Sequence, residues 1–241
     1  MSSQNIPTET VTLKNLKEWN LVWISTYSGL GVAERLTALI EKELGIKVVL
    51  HDLTLGGLKA VSVLDGLLGK SENYLLNQLP TFIPKADFIV FEANPYYKEE
   101  AHPVKACVDG STSPSGNCLP ETYITYRTTL DAIYKEIFRL RAGKLTIIRA
   151  YHLYFSETWL KDGGIANACV LCAGYAFTAF SEVAESNHVP VIHLTDLFNG
   201  PNHDQDPALN GMGSFGPPNE KRQEAIAEAI WKLGYDPVIT K

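Results

Sequence analysis

Apolar runs suited to buried strands alternate along this chain with stretches in which apolar residues recur at helical spacing. Leu21 to Ser25 (LVWIS) is a short β-prone run. It is followed by Val32, Leu36, Leu39, Ile40 and Leu44, spaced as on one helix face, with Gly45 placed as a C-cap. Lys47 to Leu53 then predicts a second strand, and Leu58 to Leu68, after Gly56-Gly57, a second helix. The alternation continues with strands at Ala86 to Glu92, Leu145 to Ala150 and Val189 to Leu194. Helices are predicted at Glu121 to Ala142, Ala166 to Asn187 and Glu220 to Leu233. Strands and helices alternating at this spacing predict an α/β fold, a three-layer sandwich around a five-stranded parallel sheet. One domain over residues 1–241 is expected, with residues 1–18 as an extended N-terminal segment.

Composition narrows the class. Of 241 residues, 45% are hydrophobic and 20% charged, which is ordinary for a globular chain and unlike a disordered one. The net charge of −6, with no Lys/Arg run, argues against nucleic acid as a partner. No uninterrupted apolar stretch reaches membrane-spanning length, and the N-terminus lacks the layout of a secretory signal. The four cysteines fall into two local pairs, Cys107 with Cys118 around a Gly/Ser/Thr/Pro-rich loop and Cys169 with Cys172 as C-x-x-C. Two disulfides and an extracellular or periplasmic location suit that arrangement, with a cytoplasmic chain left open. A four-thiolate zinc site and free thiols are the rival readings. Zinc is disfavoured by the long Cys107 to Cys118 spacing. No cofactor and no metal are expected.

In parallel sheets, ligands gather beyond the carboxyl ends of the strands. The corresponding loops read WISTYSGLGVAER, HDLTLGGLKA, VFEANPYY and, before the last helix, GSFGPPNEKRQEAIAEAI. In order and spacing these blocks resemble the SGNH, or GDSL-type, hydrolases, from about Leu21 to about Leu233. That resemblance implies a flavodoxin-like sheet, a nucleophilic serine, an oxyanion-hole glycine and asparagine, and a closing Asp-x-x-His. Its scaffold survives here: Gly57 fits the oxyanion glycine and Asn94 the asparagine. Its catalytic set does not. Tyr27 stands where the family has serine and Thr26 where it has the preceding Asp. Ser214 occupies the aspartate position and Pro217 the histidine position. Proline has no titratable group with which to accept a proton, and a tyrosine hydroxyl is a poor nucleophile unless strongly activated.

The resemblance with those losses implies a non-hydrolytic protein binding a small-molecule or carbohydrate ligand, or a partner, at the former cleft. Tyr27, Gly57, Asn94, Tyr96 and Tyr151 are the expected binding residues, with Tyr97, Tyr154, Phe155, Trp159 and Phe215 adding aromatic surface. The alternative is an esterase or carbohydrate acetyl-esterase with a relocated nucleophile and base, Ser28 and His203. Ser28 also reads as a cap for the helix after Gly31, and His203, with Asp204 and Asp206, as a self-capped polar loop or a divalent-cation site. His51 and His193 fall inside predicted strands and read as core histidines. A third reading is a structural or self-associating protein that uses the cysteine-bounded insertion for contact.

Overall fold

The computed structural model describes residues 17–94, 106–107, 114, 118–208 and 218–238. Five strands form one all-parallel sheet: β1 (Glu18–Ser25), β2 (Lys47–Thr54), β3 (Phe88–Phe91), β4 (Ile147–His152) and β5 (Val191–His193). Their order is β2-β1-β3-β4-β5, the doubly wound order that places a switch point between β1 and β3. Helices cover both faces: α1 (Val32–Leu44), α2 (Ala60–Leu67), the short α3 (Leu79–Phe82), α4 (Ile124–Leu140), α5 (Glu157–Lys161), α6 (Ala168–Ser186), α7 (Leu194–Phe198) and α8 (Glu220–Lys232).

Strand alternation divides the core. Val22, Ile24, Ile89, Phe91, Ile148 and Ala150 face α2, α4 and α6. The residues between them, Leu21, Trp23, Phe88, Val90, Ile147 and Tyr151, face α1 and α8. Burial on both sides explains why these strands read as nearly continuous apolar runs. Register aligns their carboxyl ends, with Ser25 opposite Thr54 and Ile24 opposite Phe91.

Helix ends follow local chemistry. Gly45 adopts a left-handed conformation and donates its N–H to the Glu41 carbonyl, closing α1. The side chains of Asn167 and Asn219 accept from Cys169 N and Arg222 N, capping α6 and α8. Among the described residues, α6 alone has the length and mean hydropathy, 1.2, of a membrane span, but it packs against the sheet with over half of that window buried.

The cysteines form two disulfides, but the local pairing is corrected. Cys107 joins Cys169 and Cys118 joins Cys172. The C-x-x-C spacing, three residues within a helix, puts both thiols of α6 on one face, where each meets a cysteine of the insertion. A small third cluster of Phe155, Trp159, Leu160, Val170 and Ala173 packs around the Cys107–Cys169 bridge.

Candidate functional site

At the end of β1 the chain turns through a single 3-10 turn, Tyr27–Gly29, into α1. The turn is tight against the sheet: Trp23 Nε1 donates to Ser25 Oγ at 2.7 Å, and a Cβ on Gly29 would overlap both side chains. Only glycine fits there. Tyr27 projects from the turn, 57% exposed, and its ring and hydroxyl lie against Gly56, where a Cβ would collide with them. The following residue, Gly57, takes φ +65°. Asn94 is held beside this loop by Asn94 N to Leu58 O (3.0 Å) and Ala60 N to Asn94 O (3.1 Å), while Tyr126 Oη donates to the Ala93 carbonyl. The three residues expected from blocks one to three, Tyr27, Gly57 and Asn94, are thus gathered at the switch point.

Alongside Gly56 and Gly57 a cleft of about 330 Å³ opens, with Ser62, Asp65, Lys70 and Asn73 on its walls.

Beneath the turn lies a group that motif reading passed over. Glu92 follows β3 and is 1% exposed. Its Oε2 accepts from the Thr26 backbone N–H at 2.7 Å and from Ser28 Oγ at 3.3 Å. Burial outweighs those bonds and raises its pKa to about 7. The available signal was an acidic residue directly after the apolar run Phe88 to Phe91, two positions before Asn94.

Ser28 is buried, and its hydroxyl lies 3.2 Å from Thr26 Oγ1 and 3.3 Å from Tyr151 Oη. It does not cap α1, whose N-cap Gly31 offers no side chain. Tyr151 is not on a loop: it belongs to β4, is fully buried against Trp23, and burial pushes its hydroxyl pKa up. Tyr154, Phe155 and Trp159 are likewise buried, so the aromatic surface expected after β4 is interior packing. Tyr96, Tyr97, Ser214, Phe215 and Pro217 lie outside the described residues.

His203 takes φ +57° and its Nε2 pairs with Asp196 Oδ1. The described hydrogen bonds of Ser28 go to Thr26, Glu92 and Tyr151, and none joins it to His203. His193 closes β5 and is half-buried, with Nδ1 2.8 Å from His152 Nε2. His51, on edge strand β2, stacks on Phe82. Among the described residues no three His, Cys, Asp or Glu side chains converge as a metal site.

No protein-family model matches this sequence, and no curated protein is detectably similar to it. Solved structures are similar in shape. The lipase Lip_vut3 from a goat rumen metagenome superposes with a TM-score of 0.62 at 15% identity, over 90% of this chain and 98% of that one. LAE5, an α/β hydrolase from the metagenome of Lake Arreo, gives 0.59 at 14% identity, over 89% and 94%. A protein from Parabacteroides merdae described as a GDSL-like lipase gives 0.56 at 12% identity, over 90% and 96%. With the parallel sheet and the switch-point loops, these likenesses establish that the chain has the SGNH/GDSL-type hydrolase fold.

Proposed function

We propose that this protein is a non-hydrolytic member of the SGNH architecture that binds a small-molecule or carbohydrate ligand at the former active-site cleft. The observation that carries the reading is Tyr27. At the position where the fold presents its nucleophile, a large aromatic ring lies exposed on Gly56, beside the Gly57 and Asn94 frame. An exposed ring with a hydroxyl tip suits stacking against a sugar or another flat ligand. Gly57 and Asn94 then serve as hydrogen-bonding groups for the ligand instead of an oxyanion hole, and the polar cleft beside them supplies further contacts. The two disulfides favour an extracellular or periplasmic setting.

Relocated hydrolysis through Ser28 and His203 has less support, because the Ser28 hydroxyl is buried in bonds to Glu92, Thr26 and Tyr151. Turnover of p-nitrophenyl acetate tests the choice. The parent protein is expected to be inactive, and the triple variant Tyr27→Ser, Ser214→Asp, Pro217→His to acquire measurable esterase activity. Parent activity abolished by Ser28→Ala or His203→Ala would overturn the proposal in favour of the relocated dyad.

A further inference from the structure

Consecutive residues of β4 point to opposite faces, so His152 lies across the sheet from Tyr151 and the Ser28 cluster. There, between α6 and the carboxyl ends of β4 and β5, is a cavity of about 260 Å³ that the cleft reading leaves unused. Phe155 and Phe177 supply its apolar wall. The His152 ring stacks on Phe177, centroids 4.6 Å apart and planes 10° from parallel. This is a mostly apolar hollow with aromatic sides.

Its polar atoms are fixed by hydrogen bonds. His152 Nδ1 lies 2.7 Å from the Leu153 carbonyl oxygen, which can only accept, so Nδ1 carries the proton. Burial lowers the His152 pKa to about 4, leaving the ring neutral and Nε2 bare. His193 Nδ1, 2.8 Å away, must donate to it, and neutral His193 therefore has a bare Nε2. His203 donates from Nε2 to Asp196, which leaves its Nδ1 bare in the neutral ring. Neither bare nitrogen has a partner among the described residues. Ser181, also on the cavity wall, is 7% exposed, and its buried hydroxyl has no partner. Of these groups only the Ser181 hydroxyl is buried; His193 and His203 are partly exposed, so their bare nitrogens face the open side of the cavity. A buried polar group without a partner is rare and costly, and a ligand in the cavity would satisfy it.

We propose that this cavity binds a planar aromatic molecule of one or two rings bearing N–H or O–H donors. The aromatic wall takes the ring, the imidazole nitrogens take its donors, and the Ser181 hydroxyl can give or accept. The volume lies below the range of drug-sized pockets, which limits the ligand to a small ring system. Glu182 on the cavity wall and Asp196 behind His203 disfavour an anion, and Glu182 is already paired with Arg127. An alkyl chain would leave the buried Ser181 hydroxyl without a partner and would displace water from the two imidazole nitrogens without replacing its hydrogen bonds.

Indole and benzofuran have nearly the same shape and differ in the N–H, which makes them suitable probes. Titrations of the full chain at pH 8, followed by calorimetry and ligand-observed NMR, are expected to show indole binding five- to tenfold more tightly than benzofuran, the effect of one added hydrogen bond. Gly174→Leu provides a folded blocking variant. A Cβ at Gly174 would meet only Phe155, at an ordinary 4.0 Å, so the leucine grows into the cavity while replacing a helical glycine. Its Tm should not fall, and indole binding should be lost. Ser181→Ala should weaken indole binding severalfold with Tm at or above the parent value, which loss of a structural hydrogen bond would not produce. Equal affinity for the two probes, indole binding that survives Gly174→Leu, or no indole binding at millimolar concentration would each overturn the proposal.

Discussion

Replacing Glu92 by glutamine keeps an oxygen to accept the Thr26 N–H and removes the ionisation. The carboxyl has a pKa of about 7 in the folded chain against the ordinary 4.5 of an exposed glutamate, so between those pH values the folded state holds a proton that the unfolded state has released. Stability from this group is fully present below pH 4.5 and is lost as pH rises to 7. At 1.36 kcal/mol per pKa unit the loss is about 3 kcal/mol. His152 has the opposite sign. Its pKa falls from 6.5 to about 4, so its contribution is full above pH 6.5 and is lost as pH drops to 4, again about 3 kcal/mol. Between pH 4.5 and 6.5 the two slopes cancel in the parent protein. Urea unfolding with disulfides intact, followed by the fluorescence of Trp19 and Trp23 in β1, measures this across pH 4 to 8. In Glu92→Gln the opposing slope is gone and the His152 slope dominates, joined by one of the same sign from His51, whose pKa burial also lowers, so stability climbs by at least about 3 kcal/mol from pH 4 to 6.5. The stability difference between variant and parent should widen by a similar amount from pH 4.5 to 7. Parallel curves for the two proteins would refute the assignment of a proton to buried Glu92.

Other perturbations test the scaffold. With the interleaved Cys118–Cys172 bridge intact, the Cys107–Cys169 bridge closes a path of only about 14 residues, for which chain entropy gives about 3 kcal/mol; Cys107→Ala with Cys169→Ala should lower Tm by roughly 8 °C, measured by calorimetry. The buried Arg149 guanidinium, its pKa lowered to about 10 by burial, donates to the carbonyls of Ile148, Leu233, Gly234 and Asp236. Arg149→Met leaves those acceptors short of partners and should cost about 3 kcal/mol in urea unfolding. Gly29→Ala forces a methyl into the Trp23–Ser25 hydrogen bond and should destabilise by about 2 kcal/mol, with altered tryptophan fluorescence as the local readout.

The strand and helix alternation was legible because the inner strands β1, β3 and β4 are buried on both faces and the main helices are long enough to show their period. The elements that periodicity missed are short. α5 and α7 have five residues each, and the turns from Leu76 to Lys85 carry Pro80 and Pro84, too few positions for a helical pattern to emerge. Tyr27, Gly57 and Asn94 could be placed by motif spacing, since the switch point brings those three loops together. Tyr151 falls just past the strand predicted to end at Ala150, because β4 runs to His152, two residues beyond its apolar run. Glu92 and Ser181 belong to no motif, and what distinguishes them is burial, a property of the assembled core. Disulfide partners were equally hidden: four cysteines allow three pairings, and proximity in sequence favours the wrong one.

The interleaved bridges also change what a protease could accomplish. Cys107–Cys169 spans every peptide bond from Cys107 to Cys169, and Cys118–Cys172 covers the remaining bonds to Cys172. A single cut anywhere in that interval leaves one covalent molecule, whose fragments separate only after reduction. Local pairing would have left the whole of α4 and β4 outside any such tether. The insertion and the helix it is bound to form a region of the chain that can be nicked without being shed.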